Sequence, residues 1–458
     1  MKRINTLLII LTSFIFSNQI SFSQSITWID SSAFPFSQAY DVSDDGNTVV
    51  GEYSVSQPYS HPQAFRWKRN QGFIDLGTLA GLNTHAYGVS GDGTIIVGNA
   101  QDNIINVIGR AFFWTDTTGI VDIGTLGGDC AIAHDISGDG KIIVGESEDG
   151  YYGILMAFRR LQNGVMDNLG SFCNGCISRA NAVSYDGSVI VGYAEYGTYH
   201  NAFRWTPNLG LQDLGRLGGY QSEANGVSED GSIVVGRTDV NHPNGTRGHA
   251  FKWTITNGMV DIHNDNVGSA FSTAYSVSAD GKKIVGTIDL GGNLHRAFLW
   301  TEEDGMKKLE QVFSNIITYG SELRTANKIT PDGRFIIGSG YNSATGKSSA
   351  YIIDTQSAVN IEDENGSIFS PAEFKLFQNY PNPFNPSTKI SWQSPVGSWQ
   401  TIKVFDVLGN EVATLVNEFK PAGGYEVEFN GQNLSSGVYF YQLRAGDFIQ
   451  TKKMILLR

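Results

Sequence analysis

The chain has 458 residues, 41% of them hydrophobic, enough for more than one buried core. Its 54 glycines and 12% aromatics, beside only 12 prolines and 17% charged residues, exclude a collagen-like or disordered low-complexity chain and point to many short strands joined by tight turns. A net charge of -13 excludes a nucleic-acid binder, which needs a basic face.

The first element is an export signal over residues 1–23. Lys2 and Arg3 form a basic start, Leu7–Phe16 is a short apolar run, and Ser21-Phe22-Ser23 places small residues where a signal peptidase reads. Cleavage is expected before Gln24. The alternative, a membrane anchor, needs an apolar run of about 20 residues, and this one is half that. No later stretch is long and apolar enough to span a bilayer as a helix, so the exported chain is expected to carry no transmembrane anchor.

Residues 24–356 repeat one motif seven times: A-x-x-V-S-x-D-G-x-x-I-V-G, a variable stretch, A-F-R-W, then D-L-G-x-L-G-G. The turn glycine recurs at Gly46, Gly93, Gly140, Gly187, Gly231, Gly281 and Gly333, at spacings of 47, 47, 47, 44, 50 and 52 residues. Phe65, Phe112, Phe158, Phe203, Phe251, Phe298 and Tyr351 mark the A-F segment. Asp-Gly between β-rich runs is a hairpin signal, because that turn needs positive φ. Ala39–Ser43 is therefore expected to pair with Thr48–Gly51, and the A-F-R-W and D-L-G segments supply two more strands. Four strands in such a repeat make one blade of a β-propeller, which covers its apolar faces by stacking on neighbours. The seventh unit lacks a D-L-G strand, and Ile26–Asp30 precedes the first unit without a blade of its own. These residues are expected to form the outer strand of blade seven and so to clasp the ring; an open solenoid is the alternative.

Within the repeats, chemistry is sparse. Asp41-x-Ser43-x-Asp45-Gly46 with Glu52, and Asp135-x-Ser137-x-Asp139-Gly140 with Glu146, fit a calcium-loop spacing. The first ligand becomes Gly88, Ala182, Gly226, Ser276 or Lys328 in the other units while the turn persists, so hairpin geometry is the expected reason for the motif. No catalytic residue, metal ligand or cofactor site is expected. Asp75, Asp122, Asp167, Asp213 and Asp261 repeat and read as structural, and the tryptophans as inter-blade packing rather than sugar platforms. One ring stands out as a candidate ligand site. The second residue of each first strand is Tyr40, Tyr87, His134, Asn181, Asn225, Tyr275 and Asn327, all able to hydrogen-bond. If the first strand is innermost, they lie at the axial mouth and suit a sugar or peptide end; inter-blade packing is the alternative. The variable loops Tyr53–Pro62, Gln101–Gly109 and Asp239–Gly248 are a second candidate surface. Cys130, Cys173 and Cys176 are the three cysteines. In an exported chain they can form a disulfide, with one thiol left over and the pairing open; a zinc or redox role for Cys173-Asn-Gly-Cys176 lacks the other ligands or the thioredoxin-like unit.

Residues 357–373 are a polar linker, and 374–458 read as a small β-sandwich of immunoglobulin-like form. Its proline-rich start cannot be a central strand, and alternating strands such as Thr401–Val407 and Val438–Leu443 follow, with a turn at Leu408-Gly409-Asn410.

Two resemblances emerge from these residues. Segments such as His249-Ala250-Phe251-Lys252-Trp253, over roughly Ala39–Asp354, resemble the HAF family of extracellular repeat proteins, which lends no defined activity. The C-terminal region resembles the type A sorting domain of the type IX secretion system. The matching pieces are Asn382-Pro383-Phe384-Asn385-Pro386-Ser387-Thr388, Val404-Phe405-Asp406-Val407-Leu408-Gly409, Leu434-Ser435-Ser436-Gly437-Val438-Tyr439 and Lys452-Lys453-Met454-Ile455-Leu456-Leu457. This second resemblance implies the type IX machinery of a Bacteroidota-type bacterium as partner, outer-membrane translocation, and a surface-held or released product. A carbohydrate-binding or adhesive sandwich is the alternative. The whole sequence is thus expected to be an all-β, seven-bladed β-propeller with a sorting sandwich: a secreted, non-catalytic protein binding glycan or protein at the cell surface. A polysaccharide hydrolase or lyase and a structural surface component are the alternatives.

Overall fold

The structure is a computed structural model that describes residues 22–29, 34–54, 61–79, 83–101, 109–243, 245–269, 271–292, 294–358, 374–395, 398–420, 423–446 and 448–457. Six four-stranded antiparallel units follow in chain order. The first is Phe36–Val42, Thr48–Ser54, Gln63–Lys68 and Gly72–Asp75. Five more take the same order in their own sheets. Blade seven is Glu322–Ile329, Phe335–Asn342 and Lys347–Ala358, and its fourth strand is Phe22–Ile29. That strand runs antiparallel to the third, with Ile26 opposite Ile353 and Ile29 opposite Ala350. The clasp expected from the unpaired sequence ends is therefore present; Asp30 lies outside the described residues. The strand starts inside the expected leader, but a register break falls between Ser23 and Ser25. A chain starting at Gln24 keeps the ladder from Ser25 onward. The third strand reaches Ala358, so the first two residues assigned to the linker are strand.

The core lies between blades. One cluster joins Val50 and Ala64 of blade one to Ala86, Ile96 and Phe112 of blade two. Equivalent clusters occupy each later junction. The last joins Phe335, Ile337 and Ile352 of blade seven to Ala39, Val49 and Phe65 of blade one. Seven blades with seven cores make a closed ring, not a solenoid. Each fully buried repeat phenylalanine contributes roughly 1.5–3 kcal/mol of hydrophobic stabilisation.

The repeated turn builds itself. Gly46 has φ 69° and its counterparts 67° to 74°, values a side chain resists. Ser43 Oγ donates to Asp45 Oδ1 at 2.6 Å and accepts from Thr48 N at 3.0 Å. The same exchange closes the other turns, with Thr330 in place of serine in blade seven.

The C-terminal region is a sandwich. One sheet orders Lys375–Leu376, Ser387–Ser394 and Gly423–Asn430, and the other Glu411–Lys420, Ser398–Phe405, Gly437–Ala445 and Phe448–Leu456. Trp392, Tyr441, Phe384, Ile402 and Leu443 fill the space between them.

Candidate functional site: the axial mouth

The first strand of every blade lines an axial cavity of about 460 Å³, and all seven ring residues line it. Their placement has a local cause. In each blade the ladder between first and second strands skips one residue: Ala39 pairs with Gly51 and Asp41 with Val50, leaving Tyr40 unpaired. The same bulge ejects Tyr87, His134, Asn181, Asn225, Tyr275 and Asn327. A bulge puts two residues against one and re-aims the extra side chain. It also explains the glycine that ends each I-V-G. A Cβ on Gly51 would sit 1.9 Å from the Gln38 carbonyl oxygen, and the same holds at Gly98, Gly145 and Gly192.

Six of the seven side chains fall into two groups. Asn181, Asn225 and Asn327 each donate from Nδ2 to the alanine carbonyl of the next blade, Ala224 at 2.9 Å, Ala274 at 3.1 Å and Ala39 at 2.6 Å. These amides staple the ring, as the packing alternative holds, yet among the described residues no Oδ1 of the three accepts a hydrogen bond. Tyr40, Tyr87 and His134 form a ring cluster instead, with centroids 5.3 Å and 5.8 Å apart. His85 stacks parallel on Tyr87 at 5.7 Å. Tyr275 is half-buried, and loss of solvent around its phenol raises its pKa.

Behind the cluster lies a charged rim that reading one repeat at a time missed. His85 Nδ1 bonds Glu52, and Glu52 also meets the Tyr40 phenol, raised first by burial and then by that carboxylate. His134 is held neutral, its pKa lowered by burial and then by Arg179. Its Nδ1 accepts from Arg179 at 3.4 Å and its Nε2 faces Glu146 at 3.4 Å. Burial works to raise the Glu146 pKa, but His134 and Arg179 outweigh it and hold the carboxylate ionised. These positions change identity from blade to blade, and that departure from the repeat is the signal that could have found them.

The waist of the cavity holds an ion pair. Lys328 Nζ lies 3.2 Å from Asp41 Oδ1. Burial opposes its charge, but Asp41 and Asp135 prevail and raise its pKa. Asp41 accepts from Val42 N and from Val89 N of the next blade, both at 2.9 Å; Asp135 does the same with Ile136 and Val183. The oxygens of the calcium-like pattern thus go to separate partners: Asp41 to the waist, Asp45 to its turn, Glu52 to His85. Among the described residues no group of three or more His, Cys, Asp or Glu is arranged to hold a metal. Lysine was legible as the odd residue at a position otherwise small or acidic.

The opposite mouth, on the face of the hairpin turns, is lined by Asp44, Tyr185 and Glu229 among others. Asp44 is pushed up to about 7 by burial and then by Glu229, against the pull of Lys328. Burial and Asp230 raise Glu229, and burial raises Tyr185.

Other candidates resolve as framework. Asp75, Asp122, Asp213 and Asp261 each accept from the backbone N–H two residues on, at 2.8–2.9 Å. In blade three that role falls to Asn168, not Asp167. Asn168 is the residue opposite Phe158, and Asp167 pairs with Arg159 instead. A short side-chain oxygen is all the turn needs, so the aspartate register misleads. Arg66, Arg159 and Lys252 lie over Trp114, Trp205 and Trp300 of the following blade, so these tryptophans face neighbouring blades. Asp239–Gly248 is not a free loop: its strands continue the ladder to His242 opposite Gly245. The centres of the other two loops lie outside the described residues. Cys173 and Cys176 are bonded and Cys130 is a buried free thiol.

In the C-terminal sandwich the motif residues lace the first loop to the last strand. Asn382 Oδ1 accepts from Ile455 N at 2.9 Å, and Phe384 pairs with Ile455 and Leu457 through its backbone. Gly431 N donates to Pro386 O at 2.8 Å, and Tyr439 Oη to Ser435 O at 2.9 Å. Gly409 takes φ 85° in its turn. Pro383, Asn385, Gly437 and Lys453 stand exposed.

Residues 378–457 match the family described as the secretion system C-terminal sorting domain. No curated protein sequence matches the chain. Among solved structures it is similar to TolB from Acinetobacter baumannii, at 13% identity and TM-score 0.40 over 68% of this chain and 81% of that one. It is also similar to the β-propeller domain of the Trilobed protease from Pyrococcus furiosus, at 12% and 0.45 over 69% and 95%. A third is PorZ, a surface component of the type IX secretion system of Porphyromonas gingivalis, at 12% and 0.37 over 93% and 59%. Among the described residues no helix is long and apolar enough to cross a membrane. The chain is an all-β propeller carrying a type IX C-terminal sorting domain, which directs it to the cell surface or the extracellular space.

Proposed function

We propose that the exported propeller is a binding protein, without catalysis of its own, that takes the end of a neutral glycan in the axial mouth formed by Tyr40, Tyr87, His134, Asn181, Asn225, Tyr275 and Asn327. Residues 1–23 serve as its leader across the inner membrane, and the repeats are of the HAF type. The observation that carries the reading is the cluster of Tyr40, Tyr87 and His134 beside amide oxygens that accept no hydrogen bond among the described residues. Flat rings supply contact area at low entropic cost, and free amide acceptors orient hydroxyl groups. The nearby carboxylate Glu146 is ionised and answered by Arg179, so it is no general acid.

The test is co-sedimentation of the chain from Gln24 onward with insoluble cellulose, xylan, mannan and β-1,3-glucan. One of these depletes the protein from solution, and Tyr87→Ala weakens that binding about tenfold, the loss of one good aromatic contact. Absence of binding to all four would refute the reading.

A second reading, a hydrolase or lyase acting on the same polysaccharide, is favoured by Asp44 alone. A carboxyl held near 7 beside Glu229 has the protonation a general acid needs. It requires that reducing ends appear in the sedimentation mixture and that Asp44→Asn abolish them.

A further inference from the structure

The axial mouth does not stand alone on its face of the ring. Two kinds of connection share that face: the loops from second to third strands and the links from blade to blade. From the mouth a run of rings leads outward across blades three to five. Tyr87 is 5.8 Å from His134, and His134 accepts from Arg179. Arg179 lies opposite Tyr193 in the blade-four ladder, and the Tyr193 ring is 4.9 Å from His200. One residue back along the strand, joined to His200 through the backbone and not by ring contact, Tyr199 lies parallel to Tyr220 of the link to blade five, with centroids 5.5 Å apart and planes 8° from parallel. Tyr196 is the cross-strand partner of Tyr199 at the hairpin tip. Tyr199, Tyr220 and Tyr196 are 37%, 57% and 63% exposed, so the run ends in an open phenolic platform.

Three features say what covers it. The cavity of about 460 Å³ lies toward the small-ligand end of the usual range of about 300–1,000 Å³, so a longer ligand must leave the mouth over this face. The exposed rings are all phenols, flat and amphipathic, so each can lie against the C–H face of a sugar ring while its hydroxyl meets the sugar's edge. The arginines along the way have partners within the chain. Arg179 meets Glu146 at 3.9 Å and Arg237 meets Asp239 at 3.3 Å. Arg216 lies over Tyr199 and donates to Tyr220 O at 3.1 Å. Each of these arginines is engaged within the chain, which favours a neutral polymer.

We infer that the axial mouth and the Tyr196–Tyr199–Tyr220 platform are the two ends of one binding track for a neutral polysaccharide chain several sugars long. The inference rests on the glycan reading of the mouth and extends it from a chain end to a chain.

The test measures affinity of the chain from Gln24 onward, by calorimetry, for a ladder of oligosaccharides cut from whichever of the four polysaccharides sediments it. Affinity rises at least about tenfold from disaccharide to the longest soluble oligomer, the gain expected from two further aromatic contacts. Tyr199→Ala/Tyr220→Ala removes that gain and leaves disaccharide affinity and melting temperature unchanged, since both side chains are exposed. Tyr87→Ala weakens every length alike. Affinity independent of length, or a full gain retained in the double variant, overturns the track while the mouth reading survives. No binding of any oligomer or polysaccharide overturns both. Loss of a protein partner in the double variant, with length dependence intact, overturns the track and makes the platform a protein-docking surface.

Discussion

At the residue scale, one unusual lysine decides how the propeller's centre is held together. Lys328 is the cation between two buried carboxylates, Asp41 at 3.2 Å and Asp135 beyond it. Removing one partner of a buried pair leaves an uncompensated charge and costs about 3–5 kcal/mol. The Lys328 side chain is 34% exposed, which screens the pair, so Lys328→Met is expected to lose less than that, about 1–3 kcal/mol at pH 8 by denaturant unfolding. The pH dependence has a definite sign. Burial first, then Asp41, raises Asp135 to about 6 against the pull of Lys328, and Asp44 stands at about 7. Both lie above the unfolded carboxylate value of about 3.9, so the folded state binds more protons than the unfolded state in between. Their contribution to stability is fully present below pH about 4 and is lost as pH rises through about 6 to 7. The native chain is expected to melt at a lower temperature at pH 8 than at pH 5. The Lys328→Met defect is expected to shrink at pH 5, where Asp135 protonates. Equal defects at both pH values would count against the buried pair.

At the element scale, a second repeated device does as much as the turn. The residue two before the motif alanine is Ser37, Thr84, Ser178, Ser222 or Ser272 in five blades, and each is buried. Ser222 Oγ accepts from Ala202 N at 2.8 Å and donates to Gly215 O at 2.6 Å, tying the third strand of one blade to the first of the next. Ser37 does this across the closure, accepting from Ala350 N at 2.9 Å and donating to Ile29 O at 3.0 Å. The closing strand therefore serves both blade seven and its join to blade one. A chain beginning at Phe34 leaves the edge of Lys347–Ala358 open and bares Tyr351, whose ring packs on Trp28 at 5.9 Å. Open apolar edges recruit other chains. This truncation is expected to lower the melting temperature and to produce aggregates by light scattering, whereas a chain beginning at Gln24 behaves as a monomeric ring.

At the scale of the whole molecule, the two parts carry separate instructions. The propeller presents a mouth, and the sandwich presents a sorting signal whose first loop is pinned to the last strand through Asn382 and Phe384. Deleting Phe374–Arg458 is expected to leave the propeller folded and trapped in the periplasm, measured by fractionation; surface delivery without it would refute the sorting role. Much of this was legible in the sequence. Asp-Gly turns, alternating strands and a repeat near 47 residues are local properties that survive in a one-dimensional string, and the count of strands at both ends fixed the closure. The second position of each first strand was legible as a ring because a propeller turns repeat register into radial position. The bulge that aims those residues inward was not, because it arises from pairing between strands, and the glycine opposite it looked like ordinary turn punctuation. Asp167 misled for the same reason: one residue of register separates it from Asn168, and only the ladder sets register. The sequence by itself determined the architecture and the sorting signal, both written in short repeated or contiguous motifs. Only the tertiary structure decided what meets at the axis, since Glu52, His85, His134, Arg179 and Lys328 come from different blades and are brought together by ring closure alone.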